Sequence, residues 1–138
     1  MRERWLPDES ATEALGFELA RQTPPGGTWL LDSDLGSGKT TWTRGFVAGC
    51  GGDPDLVASP TYAVLHRYPV AIGRVVHLDL YRVGPRGAWT LGLEDELRPE
   101  DRLVVEWADR EGPWPSPWVA RLSLRVDGDG RWARWTCP

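Results

Sequence analysis

Asparagine is absent from this chain of 138 residues, and lysine occurs once, at Lys39, among 16 basic residues. A small GTPase needs an Asn-Lys-x-Asp element to bind guanine. Because the sequence has no asparagine and no lysine outside position 39, it excludes that class of protein.

Long apolar runs are also missing. No run approaches the roughly 20 residues of a membrane-spanning helix, and the residues after Met1 are charged, unlike those of a secretory signal. We therefore expect a cytoplasmic protein that does not contact a membrane. The two cysteines, Cys50 and Cys137, lack metal-ligand spacing, and a reducing cytoplasm disfavours a disulfide between them. We interpret both as structural residues.

The size and charge of the chain limit its organisation and its partners. A mass of 15.4 kDa suits one ordinary domain, so we expect residues 1–138 to form a single domain. The formal net charge is −4 at pH 7. Nonspecific nucleic-acid binding depends on clustered lysine and arginine, so this charge disfavours a broad contact with a phosphate backbone.

Lys39 lies in a glycine-rich segment. The other 15 basic residues are arginines, so a lysine here indicates a need for an ammonium group on a flexible stem rather than a planar guanidinium. The segment consists of Leu35, Gly36, Ser37, Gly38, Lys39, Thr40 and Thr41. In such segments backbone N–H groups surround phosphates, the lysine reaches the outer phosphates and a hydroxyl binds Mg²⁺. The sequence therefore predicts a phosphate-binding loop.

The patterns around this loop predict the fold class. Residues 28–31 form an apolar run typical of a buried parallel strand, and Trp42, Phe46 and Cys50 recur at helical spacing after Lys39. A first helix is predicted over about residues 9–22, with Ser10 and Glu13 at capping-box spacing. Further predicted elements are strands at 63–68, 74–79 and 103–106, short helical turns within 88–97, and a hairpin over 118–135. We predict an α/β, P-loop NTPase-like fold with a mainly parallel central sheet flanked by helices and a C-terminal β-hairpin.

Two of the predicted strands end in an acid, Asp79 and Glu106. Ligands of open parallel sheets bind beyond the carboxyl ends of the strands, so both acids should lie at the edge that holds the loop. Asp79 suits a Mg²⁺ ligand, direct or through water, with Thr40 supplying a hydroxyl ligand; the alternative is a strand-end cap. Glu106 suits a second carboxylate beside Mg²⁺ or a group that orients the attacking water; the alternative is a surface acid.

Two other positions bear on the site. Thr61 precedes a predicted strand and could approach the γ-phosphate as a switch threonine does, although an ordinary turn residue is the alternative. Ser33 stands where the general motif G-x-x-x-x-G-K-[ST] has its first glycine. If the loop requires a glycine conformation there, serine is penalised and nucleotide binding is weakened.

Five motifs, taken in chain order, resemble those of the TsaE family, the small bacterial ATPases of tRNA threonylcarbamoyladenosine synthesis. They are residues 34–41, Arg44-Gly45-Phe46, Ser59-Pro60-Thr61-Tyr62, His77-Leu78-Asp79-Leu80-Tyr81-Arg82 and Val105-Glu106-Trp107. The resemblance extends over almost the whole chain. The last two motifs are much more specific than the loop.

The resemblance implies an ATPase that uses ATP and Mg²⁺, is weak alone and supports turnover of the TsaD–TsaB complex. That complex transfers a threonylcarbamoyl group to an adenosine of tRNA, so the chain would meet tRNA only indirectly. The resemblance further implies that Lys39 and Thr40 serve phosphate and Mg²⁺, and that Asp79 and Glu106 are the functional acids. It also implies that Glu9 and Arg131 help to bind the nucleoside.

Two alternatives remain at this point. A small P-loop kinase shares the loop, the threonine and the strand-end acids, but it normally needs an acceptor pocket and an arginine-rich lid. Arg82 and Arg86 are the best lid candidates, and the length leaves little room for a lid. The other alternative is a non-hydrolysing adaptor that binds nucleotide, or has lost it through Ser33, and acts by docking. ATP turnover, alone and with partners, distinguishes these functions.

Overall fold

A computed structural model describes residues 1–33, 36–57, 65–79, 93–106, 114 and 116–138. The strands within these residues are β1 (Arg2–Leu6), β2 (Thr28–Leu31), β3 (Leu65–Pro69), β4 (Arg74–Asp79), β5 (Arg102–Glu106), β6 (Val119–Asp127) and β7 (Gly130–Thr136). The helices are α1 (Glu9–Arg21), α2 (Lys39–Gly49) and the short α3 (Leu93–Glu96), with a 3₁₀ turn at Pro54–Leu56.

The strands form one mixed sheet in the order β1-β7-β6-β2-β5-β4-β3. The four central strands, β6, β2, β5 and β4, are parallel. Antiparallel strands extend this centre on both sides, β3 beside β4 and the pair β7 and β1 beside β6. The predicted α/β class, parallel centre and C-terminal hairpin are confirmed, with β6 and β7 as the hairpin.

Both long helices pack on the same face of the sheet. Their buried residues, among them Leu15, Leu19 and Phe46, join one core with Trp29 and Leu31 of β2. Leu30, between those two strand residues, belongs to a second core on the opposite face. The helices approach closely because glycines face the partner helix: a Cβ at Gly16 would lie 2.1 Å from the carbonyl oxygen of Trp42. This contact holds α2, and with it the end of the glycine-rich loop, against α1.

The start of α1 differs from the sequence prediction. The helix is capped by Asp8, whose carboxylate accepts a hydrogen bond from the Ala11 N–H at 2.8 Å. Ser10 is already inside the helix, so the predicted capping box of Ser10 and Glu13 is wrong. The strand β1, which precedes this cap, was not predicted, since four of its five residues are exposed and show no alternation of apolar and polar side chains.

The two cysteines are free thiols in different surroundings. Cys50 ends α2 and is buried, and burial raises the pKa of its thiol to about 11. Cys137 is exposed near the end of the chain. Among the described residues, no helix has the length and apolar character that crossing a membrane requires.

Candidate functional site

The glycine-rich loop leads from β2 into the amino end of α2. Gly36 and Gly38 have φ angles of +74° and +105°, a region that favours glycine. Gly38 is the N-cap and brings no side chain to the first N–H groups of the helix. Those N–H groups lack intrahelical acceptors, and the helix dipole adds partial positive charge there. The loop therefore ends in a backbone arrangement suited to an anion.

Lys39, the first residue of α2, turns its side chain back across the loop. Its ammonium nitrogen Nζ donates a hydrogen bond to the backbone oxygen of Ser33 at 2.6 Å. Only 5% of the residue is exposed. The one lysine of the chain is thus held inside the loop, on the path between β2 and α2.

Ser33 has a structural role that the sequence did not reveal. Its hydroxyl oxygen Oγ accepts a hydrogen bond from the backbone N–H of Leu124, in β6, at 2.6 Å, and the residue is buried. Just before it, the Asp32 N–H donates to the Leu122 carbonyl of the same strand. Serine therefore continues the attachment of the loop to β6, a contact that glycine could not make.

Arg131, in β7, lies against the opposite end of the loop. Its Nη1 donates to the backbone oxygen of Ser37 at 2.8 Å. A Cβ added at Gly38 would lie 2.2 Å from the same nitrogen, so only glycine leaves room for this guanidinium. The resemblance implies that Arg131 helps to bind the nucleoside, and the structure places the Arg131 side chain beside the predicted phosphate loop.

The ends of three parallel strands bring the loop and the acids together. Leu31, the last residue of β2, is paired in register with Glu106, the last residue of β5. Glu106 is in turn paired with Asp79, the last residue of β4. The side chains of Glu106 and Asp79 lie on the helix-bearing face, because Val104 and Val75 of that core precede them by an even number of positions. The expected convergence at one edge of the sheet is confirmed.

A buried polar chain leads to Glu106 from the neighbouring strands. His77 is fully buried, and its Nε2 lies 2.5 Å from Oε2 of Glu106. On the other side of the ring, the Tyr68 hydroxyl lies 3.4 Å from Nδ1. Glu106 is itself only 4% exposed, so the surface-acid alternative is wrong. Sequence reasoning gave His77 no role, although its spacing of two from Asp79 places both residues on one face of a strand.

Four further residues were predicted to belong to the site: Thr40, Thr41, Glu9 and Thr61. Thr40 and Thr41 lie in the first turn of α2 and are partly exposed. Glu9 begins α1 and is exposed, three residues after Leu6, which pairs in register with Arg131. Thr61 lies outside the described residues.

The residues at this edge suit a magnesium nucleotide. Ser37 Oγ is buried and makes no hydrogen bond within the described part of the chain, so the loop contains a polar atom that a ligand could satisfy. Mg²⁺ at such sites takes one or two carboxylates and completes its shell with phosphates and water. Within the described ranges no group of three or more His, Cys, Asp or Glu side chains could hold a metal ion. Two acids and a hydroxyl from Thr40 thus fit an ion shared with phosphates, rather than one held by the protein alone.

Comparisons with known proteins agree with this geometry. Residues 6–134 match the family model described as threonylcarbamoyl adenosine biosynthesis protein TsaE. A protein of Synechocystis, named tRNA threonylcarbamoyladenosine biosynthesis protein TsaE, is 37% identical over 83% of this chain and 74% of its own length. A Nostoc protein of the same name is 33% identical over 99% of this chain and 86% of its own length.

The fold has a counterpart among solved structures. A crystal structure of YdiB from Bacillus subtilis superposes with a TM-score of 0.76 and 25% sequence identity, over 99% of this chain and 84% of that chain. The family model spans most of the chain, and it includes the loop, both strand-end acids and Arg131. The chain therefore belongs to the TsaE family.

Proposed function

We propose that this chain binds ATP with Mg²⁺ at the strand ends, hydrolyses it slowly alone, and acts with a TsaD–TsaB complex in making threonylcarbamoyladenosine in tRNA. The relatives named above supply the pathway, since their names describe tRNA threonylcarbamoyladenosine biosynthesis. The partners follow from the resemblance of the motifs.

The observation that carries this proposal is the register of β2, β5 and β4. It aligns the last residue before the loop, Leu31, with the two acids, Glu106 and Asp79. A loop alone would serve any phosphate ligand. A loop with two carboxylates at the same level of adjacent strands also offers a position for a divalent cation and for a water molecule.

Each residue has a separate task in this proposal. When bound, the magnesium nucleotide supplies a γ-phosphoryl group that water accepts, which yields ADP and phosphate. The Lys39 ammonium exchanges its contact with the Ser33 carbonyl for phosphate oxygens and neutralises their charge. Thr40 and Asp79 hold the cation, and Glu106 accepts a hydrogen bond from the attacking water and so orients it.

Calorimetric titration with ATP and ADP, with and without Mg²⁺, tests the nucleotide site. We expect binding to the wild-type chain and its loss in Lys39→Met, which keeps the aliphatic stem and removes the ammonium. Arg21→Met is the matched control, because it removes one positive charge at the far end of α1, beside the carboxyl end of α2. Equal ATP affinity in the wild-type chain and Lys39→Met would refute the site.

Phosphate release then tests hydrolysis. It should be slow for the chain alone and faster with TsaD and TsaB present. Transfer of phosphate to a small acceptor, without release to water, would instead favour a kinase. Tight ATP binding without turnover under any of these conditions would favour an adaptor.

A further inference from the structure

A row of three polar side chains, Tyr68, His77 and Glu106, crosses three adjacent strands and ends at the candidate site. Tyr68 belongs to β3, His77 to β4 and Glu106 to β5. All three are buried, with exposed fractions of 3%, 0% and 4%. Polar groups in such surroundings are costly unless they are hydrogen-bonded, and here each ring or carboxylate meets the next along the sheet.

The partners of His77 define what its two nitrogens do. An ionised carboxylate only accepts hydrogen bonds, so opposite an ionised Glu106 the 2.5 Å contact places the proton on Nε2. Nδ1 then carries a lone pair, which suits the Tyr68 hydroxyl as a donor at 3.4 Å. A ring with its proton on Nε2 satisfies both neighbours. The short contact to the carboxylate dominates, and the longer one helps to orient the ring.

This bond restricts Glu106. One carboxylate oxygen, Oε2, is engaged by His77, while Oε1 makes no hydrogen bond to the described residues. The carboxylate is therefore held by an imidazole that has no exposed surface and is flanked by the rings of His66 and Tyr68. Outer partners of this type orient the groups that contact a ligand, and their removal typically costs about 10- to 100-fold in affinity or activity.

We propose that His77 is a positioning residue for Glu106: its Nε2–H donates to Oε2, fixes the carboxylate and leaves Oε1 for the attacking water. This inference rests on the proposed function, because it assigns a purpose to a water-orienting Glu106. In this role His77 does not contact the nucleotide. Its contribution passes entirely through the carboxylate.

A double-mutant cycle tests the proposal in the chain assembled with TsaD and TsaB. We expect His77→Ala to lower kcat for ATP by about 10- to 100-fold with little change in KM, as expected for loss of an orienting partner. His77→Gln, which keeps an N–H donor, should recover part of the rate. In a Glu106→Gln background, His77→Ala should cost little more, because the group it positions is already disabled.

His66→Gln is the matched control. His66 lies directly opposite His77 in register and its ring centroid is 6.5 Å away, but Glu106 is not among its contacts in the described residues. The same chemical change at this position should leave kcat within about twofold of the wild-type value, as for a substitution away from the site. Unchanged kcat in His77→Ala, or full additivity with Glu106→Gln, would overturn the proposal.

A second test of the proposal, by NMR, requires neither ATP nor a metal ion. The chain has two histidines, so ring nitrogens can be assigned by NMR with His66→Gln as reference. We expect a proton on Nε2 of His77 at low field, which moves upfield in Glu106→Gln as the acceptor loses its charge. An unshifted signal would show that the hydrogen bond is absent and would overturn the proposal. If the assembled wild-type chain hydrolyses no ATP, the proposed function fails, and this spectrum still decides whether His77 holds Glu106.

Discussion

At the scale of single residues, the position of Lys39 explains why arginine does not replace it. The ammonium fits within 2.6 Å of one backbone oxygen inside a loop where only 5% of the residue is exposed. A guanidinium is planar and carries five N–H donors in a fixed arrangement. It could not occupy this space without moving the loop.

We therefore expect Lys39→Arg to impair ATP binding nearly as much as Lys39→Ala, although it conserves the charge. Both variants should remain folded, since the hydrophobic core is formed by other residues. Isothermal titration of both variants, with circular dichroism as the control for folding, measures this. Wild-type affinity in Lys39→Arg would show that charge alone suffices at this position.

Ser33 carries a second prediction at this scale. Its hydroxyl accepts from the buried Leu124 N–H, so Ser33→Ala and Ser33→Gly should each lower the free energy of unfolding by about 1–3 kcal/mol. The sequence had suggested that glycine would tighten nucleotide binding by relieving backbone strain. Comparing ATP dissociation constants of the two variants isolates the backbone, because both lack the hydroxyl. An affinity about tenfold higher in Ser33→Gly than in Ser33→Ala would reveal strain of roughly 1.4 kcal/mol.

At the scale of elements, the cap of α1 can be tested with a matched pair of variants. Asp8→Ala should lower the free energy of unfolding by about 1 kcal/mol, because it leaves the Ala11 N–H without its acceptor. Ser10→Ala should be neutral or slightly stabilising, since alanine is the better helix former inside α1. Urea denaturation of both variants checks this. A larger loss in Ser10→Ala than in Asp8→Ala would contradict the assignment of the cap.

The last residues of β4 and β5, Asp79 and Glu106, should differ in function although they are paired in register. We expect Asp79→Asn to weaken ATP binding chiefly when Mg²⁺ is present, and Glu106→Gln to lower kcat more than affinity. Titration with and without Mg²⁺ measures the first effect, and phosphate release with TsaD and TsaB measures the second. Unchanged turnover in Glu106→Gln would eliminate the water-orienting role of this residue.

The elements that could be predicted are those with local signals. The apolar run at residues 28–31, the helical spacing after Lys39, and acids at the ends of apolar runs each lie within a few residues of sequence. Contacts between distant segments leave no such signal: Ser33 meets Leu124, and His77 meets Glu106, only after the sheet has formed. The cap was misassigned because Asp8 and Ser10 are both favourable N-cap residues, and propensity does not decide between them.

At the scale of the whole molecule, we expect the chain to bind a TsaD–TsaB complex in a nucleotide-dependent manner. Contacts of the loop with β6 and β7 link the proposed nucleotide site to the C-terminal hairpin, and we expect occupancy of the site to be transmitted through them. Size-exclusion chromatography with ATP, with ADP and without nucleotide measures association. Identical association in the three states would refute the coupling.

The attachment of the loop to the hairpin also determines when the site can form during synthesis. Hydrogen bonds join the loop to the hairpin: Leu124 N–H donates to Ser33, and Arg131 donates to Ser37. Strand β1, which precedes the loop in the sequence, pairs with β7, the last strand of the described residues. A nascent chain on the ribosome therefore has the glycine-rich segment long before it has these supports. A loop held by both hydrogen bonds therefore requires that the C-terminal strands have left the exit tunnel, and a chain cut short before Leu124 would carry the motif without either of these partners.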